Sequence, residues 1–132
     1  MERTYTTPLL DKLGIRPGAR VALVRIEDPS FRAILAERTE DVTEGDPLAA
    51  TDVILLGAEG VADLASLDEL RGRIRPNGAI WVVSRKGRGS TLRDIDVMAA
   101  ARSAGLVDNK VAAFSDTHTA LRLVIPVADR PR

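Results

Sequence analysis

Three continuous apolar segments constrain the fold of this chain more than any other feature. They lie within residues 20–26, 51–57 and 79–84, each of which reads as a strand, and segments with helical character separate them. Unbroken apolar runs of this length are typical of parallel strands that helices cover on both faces. The sequence therefore predicts an α/β fold built on a parallel sheet.

The first two helices are predicted from local signals. Residues 8–13 can form a short helix, with Gly14 at the position of a C-terminal cap. Pro29 fits the first turn of a second helix that runs to about Arg38, and Asp28 is its candidate N-cap.

Two further helices are predicted from spacing. Apolar residues recur at helical intervals from Val61 to Ile74. Thr91 and Asp94 have the spacing of a capping box at the start of the last helix, which ends at Gly105.

The C-terminal part predicts an antiparallel pair. Residues 110–115 and 120–126 have strand character, and the short connection between them favours a hairpin. Val42 marks a short edge strand. The predicted architecture is one Rossmann-like three-layer sandwich over residues 1–132, with a mostly parallel sheet and a C-terminal antiparallel hairpin. Residues 1–18 would form the N-terminal short helix and turn, and residues 127–132 a frayed tail.

Composition excludes several classes of function. Lys and Arg total 19 and so do Asp and Glu, so no global basic field exists to attract nucleic acid or an anionic membrane. The four aromatic residues are few for a base-stacking surface. With no cysteine and one histidine, thiolate sites and multi-histidine metal sites are excluded within one subunit. No signal-peptide core or membrane-spanning run is present, so we expect a cytoplasmic protein without resident cofactor.

The turn after the first apolar run lacks glycine. In nucleotide-binding α/β domains glycines at this turn let the backbone approach the phosphates. Here the turn reads Glu27-Asp28-Pro29-Ser30-Phe31, which argues against standard cofactor binding at this place. Glu27 and Asp28 can form a carboxylate pair for a cationic ligand, or they can simply cap the following helix and complement its dipole.

The best candidate for ligand binding is a basic loop that follows the third apolar run. Its residues are Arg85, Lys86, Gly87, Arg88, Gly89, Ser90 and Thr91. Cations beside the amides of a helix start can hold a phosphate or carboxylate. The alternative is a solvated loop with ordinary capping. Since ligands bind beyond the carboxyl ends of strands in such sheets, residues 25–28, 57–60, 84–91 and 116–118 are expected near one another.

Two single side chains carry narrower expectations. His118 is either a general base oriented by Asp116 or a turn histidine without a role. Trp81 lies inside an apolar run, so we expect it in the core with a hydrogen-bond partner for its N–H.

The order of elements resembles the class I methyltransferase sheet, which also ends in an antiparallel strand. Residues 75–78, Arg-Pro-Asn-Gly, resemble the Pro-Gly-Gly turn before a late strand of those enzymes. This resemblance implies S-adenosylmethionine as cofactor, approached by a glycine-rich turn after the first strand and by an acid ending the second. The glycine-rich turn is absent here, and Asp41 or Glu44 is the candidate acid.

A second resemblance spans nearly the whole chain. Residues 7–18, 81–86 and 105–111 are similar to segments of the DUF3052 proteins, small bacterial proteins of unknown function. This resemblance implies a small Rossmann-like domain and carries no catalytic residues to transfer.

Three functions from different classes follow. The first is a non-catalytic binding or regulatory module that recognises an anionic small molecule or a protein. The second is a divergent methyltransferase-like enzyme that uses S-adenosylmethionine. The third is a structural homo-oligomer, for example a homodimer formed through the final hairpin, because an exposed edge strand invites pairing.

Overall fold

The structure is a computed structural model that describes residues 7–131. Residues 1–6 of the predicted N-terminal segment and Arg132 of the predicted tail lie outside the described residues.

Six strands and four α-helices form within residues 7–131. The strands are β1 (Val21–Val24), β2 (Val42–Glu44), β3 (Thr51–Gly57), β4 (Ile74–Arg85), β5 (Val107–Ala113) and β6 (His118–Val124). The helices are α1 (Thr7–Lys12), α2 (Pro29–Arg38), α3 (Leu67–Arg71) and α4 (Asp94–Ser103). Short 3-10 helices lie at Val61–Leu64, Gly87–Gly89 and Val127–Asp129.

The strands form one mixed sheet in the order β2-β1-β3-β4-β6-β5. The pairs β1–β2, β1–β3 and β3–β4 are parallel, whereas β4–β6 and β5–β6 are antiparallel. The predicted Rossmann-like sheet with a closing antiparallel pair is thus confirmed. The order reverses at β1, because β2 lies on one side of it and β3 on the other. In open α/β sheets this switch point is where ligands bind.

Alternate residues of the central strands face two separate apolar layers. Leu55 and Trp81 belong to the layer that α1 and α2 cover, together with Phe31 and Leu35 of α2. Ile54 and its neighbours belong to the opposite layer, which the 3-10 helix at Val61–Leu64, α3 and α4 cover. The unbroken apolar runs of the sequence therefore reflect burial on both faces, and the three-layer sandwich is confirmed.

Trp81 connects the sheet to the N-terminal helix. The ring is fully buried, and its Nε1 donates a hydrogen bond of 3.0 Å to the carbonyl oxygen of Leu13. Leu13 directly follows α1, so this bond fixes the end of α1 over the middle of the sheet. The expectation of a core tryptophan with a satisfied N–H is confirmed.

The helix predicted between Val61 and Ile74 is wrong in its extent. The segment forms a 3-10 helix at Val61–Leu64 and a short α3, which ends at the cap residue Gly72. Glycine is a poor helix former, and Ile74 instead pairs with Thr51 as the first residue of β4. The helical spacing arose because Leu64, Leu67 and Leu70 all pack against the sheet.

The predicted start of the last helix is also corrected. Helix α4 begins at Asp94, and Thr91 does not cap it. The Thr91 hydroxyl donates instead to the carbonyl oxygen of Glu59, while the Arg93 N–H donates to Asp96 Oδ2 at 3.2 Å. A contact with the end of β3, which local spacing cannot reveal, takes Thr91 away from the helix.

Several strand boundaries differ from those predicted. The first strand is shorter than residues 20–26, and the last two are β5 and β6 rather than residues 110–115 and 120–126. Thr51 pairs with Ile74 and Val53 with Ala79, so residues 75–78 bulge out within β4 instead of forming a turn before it. Cross-strand register, rather than composition, sets these limits.

The C-terminal segment leaves the sheet in a short turn. Val127–Asp129 forms a 3-10 helix, and Arg130 Nε donates to the carbonyl oxygen of Ile125 at 2.9 Å. Fraying of residues 127–132 stays a prediction.

A close backbone contact joins the ends of β1 and β3. Arg25, the residue after β1, has φ = 57°, in the left-handed region that favours glycine. Its carbonyl oxygen lies against Gly57, where an added Cβ would come within 2.2 Å of it. The chain thus makes a left-handed turn after β1 without a glycine in the turn. A glycine is required instead on β3, because Gly57 lies against the Arg25 carbonyl oxygen.

Gly57→Ala is expected to destabilise the protein by about 1–3 kcal/mol, because the new methyl group overlaps the Arg25 carbonyl oxygen. Gly60→Ala is the matched control, since nothing lies within 4 Å of a Cβ at that position and its φ of −155° suits any residue. Urea unfolding measures both free energies. Equal losses for the two variants would contradict this account of the contact.

Candidate functional site

A cleft of about 180 Å³ opens at the carboxyl ends of the parallel strands, next to the switch point. Residues 25–28 after β1 and 57–59 at the end of β3 form one side. Arg85 at the end of β4, Thr91, and His118 at the start of β6 form the other. All four segments that the sequence placed at this edge therefore contribute to one cleft.

The cleft also has an apolar part that the sequence analysis missed. Val83 and Phe114 line it, and the Phe114 ring lies 5.0 Å from the Phe31 ring between centroids. Phe114 follows β5 and is buried. Its aromatic character was the available signal, but its place under the cleft depends on the hairpin register.

Charge is distributed unevenly across the cleft. Glu27, Asp28 and Glu59 follow β1 and β3, whereas Arg85 and His118 belong to β4 and β6. The sheet order sets β1 and β3 beside each other and β4 beside β6. The cleft consequently has a carboxylate side and a basic side.

Arg25 lies on the carboxylate side, but its guanidinium is already engaged. Nη2 donates to the Asp63 carbonyl oxygen at 3.1 Å and lies 3.9 Å from Asp63 Oδ1, and Nε is 3.4 Å from the Gly57 oxygen. Asp63 Oδ2 also accepts the Glu59 N–H at 2.8 Å. That bond, aided by Gly60 and Arg25 and opposed by burial, lowers the pKa of Asp63.

Arg85 is the cation that is available to a ligand. Within residues 7–131 the structure records no hydrogen bond or ion pair for its guanidinium, although the side chain lines the cleft. A Cβ at Gly89 would come within 2.5 Å of Arg85 Cδ, so the Arg85 side chain passes directly over that glycine. The backbone N–H of Lys86 donates to the Thr117 carbonyl oxygen at 2.9 Å, which anchors the start of the loop.

His118 faces this cation from the neighbouring strand. Its Nδ1 lies 2.7 Å from the Thr117 hydroxyl, so its recorded partner is Thr117 rather than the expected Asp116. Burial, and then the positive charge of Arg85, lower the pKa of His118, while Asp28 and Glu59 act in the opposite direction. The ring is therefore mostly uncharged at neutral pH.

The predicted site residues divide into two groups. Glu27, Asp28, Arg85 and Thr91 line the cleft. The remaining loop residues are exposed beside it and do not line it: Lys86, Gly87, Arg88, Gly89 and Ser90. Asp28 also accepts the Phe31 N–H at 3.1 Å, which confirms its role as the N-cap of α2. Ligand binding by these residues stays a prediction.

Both candidate acids of the second strand have partners. Glu44 is the last residue of β2, and its Oε1 accepts from Arg32 Nη2 at 2.7 Å. Asp41 precedes the strand and accepts from Arg20 Nε at 3.0 Å. Of the two, Glu44 alone lies at the carboxyl end of β2.

Neither a metal cluster nor a membrane span is found in the described part of the chain. Residues 7–131 bring no three histidine, aspartate or glutamate side chains together in a ligating arrangement. In the same range, each helix is too short or too polar to cross a bilayer.

Solved structures that are similar to this chain include methyltransferases. A SAM dependent methyltransferase from Aquifex aeolicus has a TM-score of 0.69 at 12% identity, over 89% of this chain and 88% of that one. A second similar chain comes from the Haloferax volcanii complex of the Trm112 methyltransferase activator with a putative methyltransferase. Its TM-score is 0.65 at 12% sequence identity, and the match covers 90% of this chain and 87% of that one.

The O-methyltransferase NcsB1 from neocarzinostatin biosynthesis, solved with S-adenosylmethionine, gives a TM-score of 0.62 at 15% identity. The match covers 80% of this chain but spans only about half of that enzyme, 48% of its length. Identities this low show a shared fold and nothing more. The predicted methyltransferase-like order of the sheet is confirmed.

Sequence comparison identifies a family without an assigned activity. No curated protein matches the chain. The family model DUF3052, described as a protein of unknown function, matches residues 11–127. Because this match covers most of the 132 residues, the chain belongs to the DUF3052 family.

Proposed function

We propose that this protein is a non-catalytic binding module whose switch-point cleft takes a compact small molecule with an anionic group at one end and a hydrogen-bond donor at the other. The observation that carries this proposal is the division of the cleft into a carboxylate side, after β1 and β3, and a basic side on β4 and β6. A ligand with both kinds of group complements both sides.

The anionic end of the ligand would meet Arg85. A guanidinium offers a planar fork of donors that matches a carboxylate or phosphate, and charge-assisted hydrogen bonds of this kind are strong. Arg25 is a weaker candidate, since its guanidinium already donates to Asp63. His118 lies opposite Arg85 on the neighbouring strand, and burial and then the charge of Arg85 lower the pKa of His118. When protonated, His118 can donate a second hydrogen bond to the anion that Arg85 binds.

The size and the opposite wall of the cleft narrow the ligand further. A volume of about 180 Å³ lies below the range of roughly 300–1,000 Å³ that drug-sized ligands occupy. Glu27 and Glu59 on the carboxylate side would accept hydrogen bonds from the other end of the ligand, for instance from an ammonium group. A compact zwitterion such as an amino acid fits this combination.

The polar groups of the cleft favour binding over catalysis. Nucleophilic catalysis needs a hydroxyl or thiol within reach of a base. The Thr91 hydroxyl instead donates to the Glu59 carbonyl oxygen, and His118 Nδ1 contacts Thr117, which does not line the cleft.

A second candidate function is S-adenosylmethionine binding, as in a divergent methyltransferase. Glu44 favours it, because it lies at the carboxyl end of β2, where methyltransferases carry an acid for the ribose hydroxyls. Two contacts weigh against it. Arg25 puts a long side chain at the turn that is glycine-rich in those enzymes, and Arg32 already pairs with Glu44.

A third role is self-association through β5. This strand ends the sheet, and its Val111 is 59% exposed. Light scattering across a concentration series tests the idea, since a mass of two chains supports a homodimer and a constant one-chain mass excludes it.

Calorimetric titration with glycine, acetate, S-adenosylmethionine and S-adenosylhomocysteine separates the two ligand proposals. We expect glycine to bind more tightly than acetate, and Arg85→Gln to weaken glycine binding about tenfold or more through the lost charge-assisted bond. Arg88→Gln is the matched control, because Arg88 belongs to the same loop but does not line the cleft. Absence of glycine binding, or an equal effect of both variants, would exclude the proposal. Tight cofactor binding would favour the second candidate.

His118 gives this binding a predictable pH dependence. In the protein without ligand, the pKa of the His118 imidazole lies below its usual value of about 6.5. An anion bound beside the ring raises that pKa. Binding therefore takes up a proton, so glycine affinity should rise as the pH falls from about 7.5 to about 5.5. His118→Gln should abolish the rise. Calorimetry across this range checks it, and a flat native profile would show that the anion does not contact His118.

A further inference from the structure

The opposite end of the sheet carries a second and larger cleft, of about 530 Å³. The loop before β1, the start of β3, the bulge in β4 and Arg122 of β6 line it. It therefore lies at the amino ends of the parallel strands and is separate from the switch-point cleft. We propose that this amino-end cleft binds a phosphate-bearing, non-aromatic small molecule.

The lining of the amino-end cleft is strongly positive. Arg16, Arg75 and Arg122 line it, and Asp52 is the one carboxylate among the described residues of its wall. Asp52 is already satisfied, because Oδ1 lies 3.0 Å from Arg75 Nε and Oδ2 accepts the Arg20 N–H at 2.9 Å. Two guanidinium groups, those of Arg16 and Arg122, are left without a carboxylate from this wall.

Arg122 is the more constrained of these two cations. It lies opposite Trp81 in the β4–β6 register and is half-buried. Its recorded hydrogen bond is a long one of 3.4 Å to the neutral amide oxygen of Asn109. Burial, and then the positive charge of Arg130, lower its pKa. An anion that enters the cleft would stabilise Arg122, because a half-buried cation near another cation has unfavourable desolvation and repulsion that the anion offsets.

Arg16 is held at the mouth of the amino-end cleft by the loop that precedes β1. Gly14 and Gly18, on either side of Arg16, have φ values of 74° and 78°, in the left-handed region that favours glycine. The neighbouring Ile15 is buried and anchors the loop to the core. Within residues 7–131 the structure records no hydrogen bond or ion pair for the Arg16 side chain.

The bulge of β4 provides a further wall. At Gly78 an added Cβ would lie 2.9 Å from the Asp52 carbonyl oxygen, so the bulge packs closely on β3 at this glycine. Asn77, next to it, adds an amide group to the lining. The volume of about 530 Å³ lies within the range of roughly 300–1,000 Å³ that is typical of small-molecule sites.

These features select the class of ligand. Guanidinium forks match phosphate oxygens, and an excess of two cations favours a group with more than one negative charge. None of the described residues that line the amino-end cleft is aromatic, so it offers no platform on which a nucleotide base could stack. A sugar phosphate or pyrophosphate meets both conditions better than a nucleotide does.

Calorimetric titration with glucose 6-phosphate, inorganic pyrophosphate, succinate and ATP tests the proposal. We expect the first two to bind and succinate to bind more weakly. Arg122→Gln and Arg16→Gln should each weaken binding about tenfold. Arg85→Gln is the control, since Arg85 lines the other cleft, and it should leave glucose 6-phosphate affinity unchanged.

Defined results would overturn the proposal. These are no binding of either phosphate compound at millimolar concentration, unchanged affinity in Arg16→Gln, or succinate binding as tight as that of the phosphates. Loss of binding in Arg85→Gln would assign the phosphate to the switch-point cleft instead. Tighter binding of ATP than of pyrophosphate would contradict the non-aromatic class. Because Arg16 lies on an exposed loop, its variant keeps the test decisive even if Arg122→Gln fails to fold.

Discussion

The contact between the Arg25 carbonyl oxygen and Gly57 is the constraint on which the carboxyl end of the sheet depends. A Rossmann-like sheet must turn sharply after its first strand, and glycine usually supplies the left-handed residue. Here Arg25 adopts that conformation, and the neighbouring strand omits a side chain to make room. The missing glycine after β1 is therefore compensated by a glycine on β3, and the fold is kept while the chemistry of the turn changes.

Because residue 25 is an arginine, the turn after β1 also makes a side-chain contact with a neighbouring element. An arginine side chain reaches from β1 to Asp63, and Asp63 in turn accepts the Glu59 N–H. Residues at the ends of β1 and β3 are thus tied to the 3-10 helix at Val61–Leu64. A glycine at residue 25 could make the same backbone turn but not this connection. On the carboxylate side of the switch-point cleft, the Arg25 side chain and the backbone at Glu59 are consequently held in place, whereas Arg85 on the basic side has no recorded partner within residues 7–131.

Much of the fold could be predicted from sequence where local signals decide it. The bounds of α2 follow from Asp28 and Pro29, and those of β3 from its apolar run, and both agree with the structure. The predicted element boundaries were wrong where a contact with a residue distant in sequence sets them. Ile74 joins a strand because it pairs with Thr51, and Thr91 leaves its helix because it bonds to Glu59. The segments of the switch-point cleft were predictable from strand ends, but which loop side chains line it was not. The amino-end cleft was missed entirely, since only the tertiary fold brings the loop before β1, which carries Arg16, and β6, which carries Arg122, to the same cleft.

The equal numbers of acidic and basic residues conceal a separation of charge between the two ends of the sheet. At the carboxyl end, carboxylates face the guanidinium of Arg85 across a small cleft. At the amino end, three arginines surround a larger one and a single aspartate is already paired. A net charge of zero argues only against long-range attraction of polyanions. At moderate salt, exposed charges farther apart than about 10 Å are largely screened, so distant charges have little effect on a single site. The zero net charge does not argue against local anion binding, which depends on the few guanidinium groups within hydrogen-bond reach. A fold shared with methyltransferases at 12–15% identity does not by itself assign a ligand, so the two proposed anion sites depend on the positions of Arg85, Arg16 and Arg122.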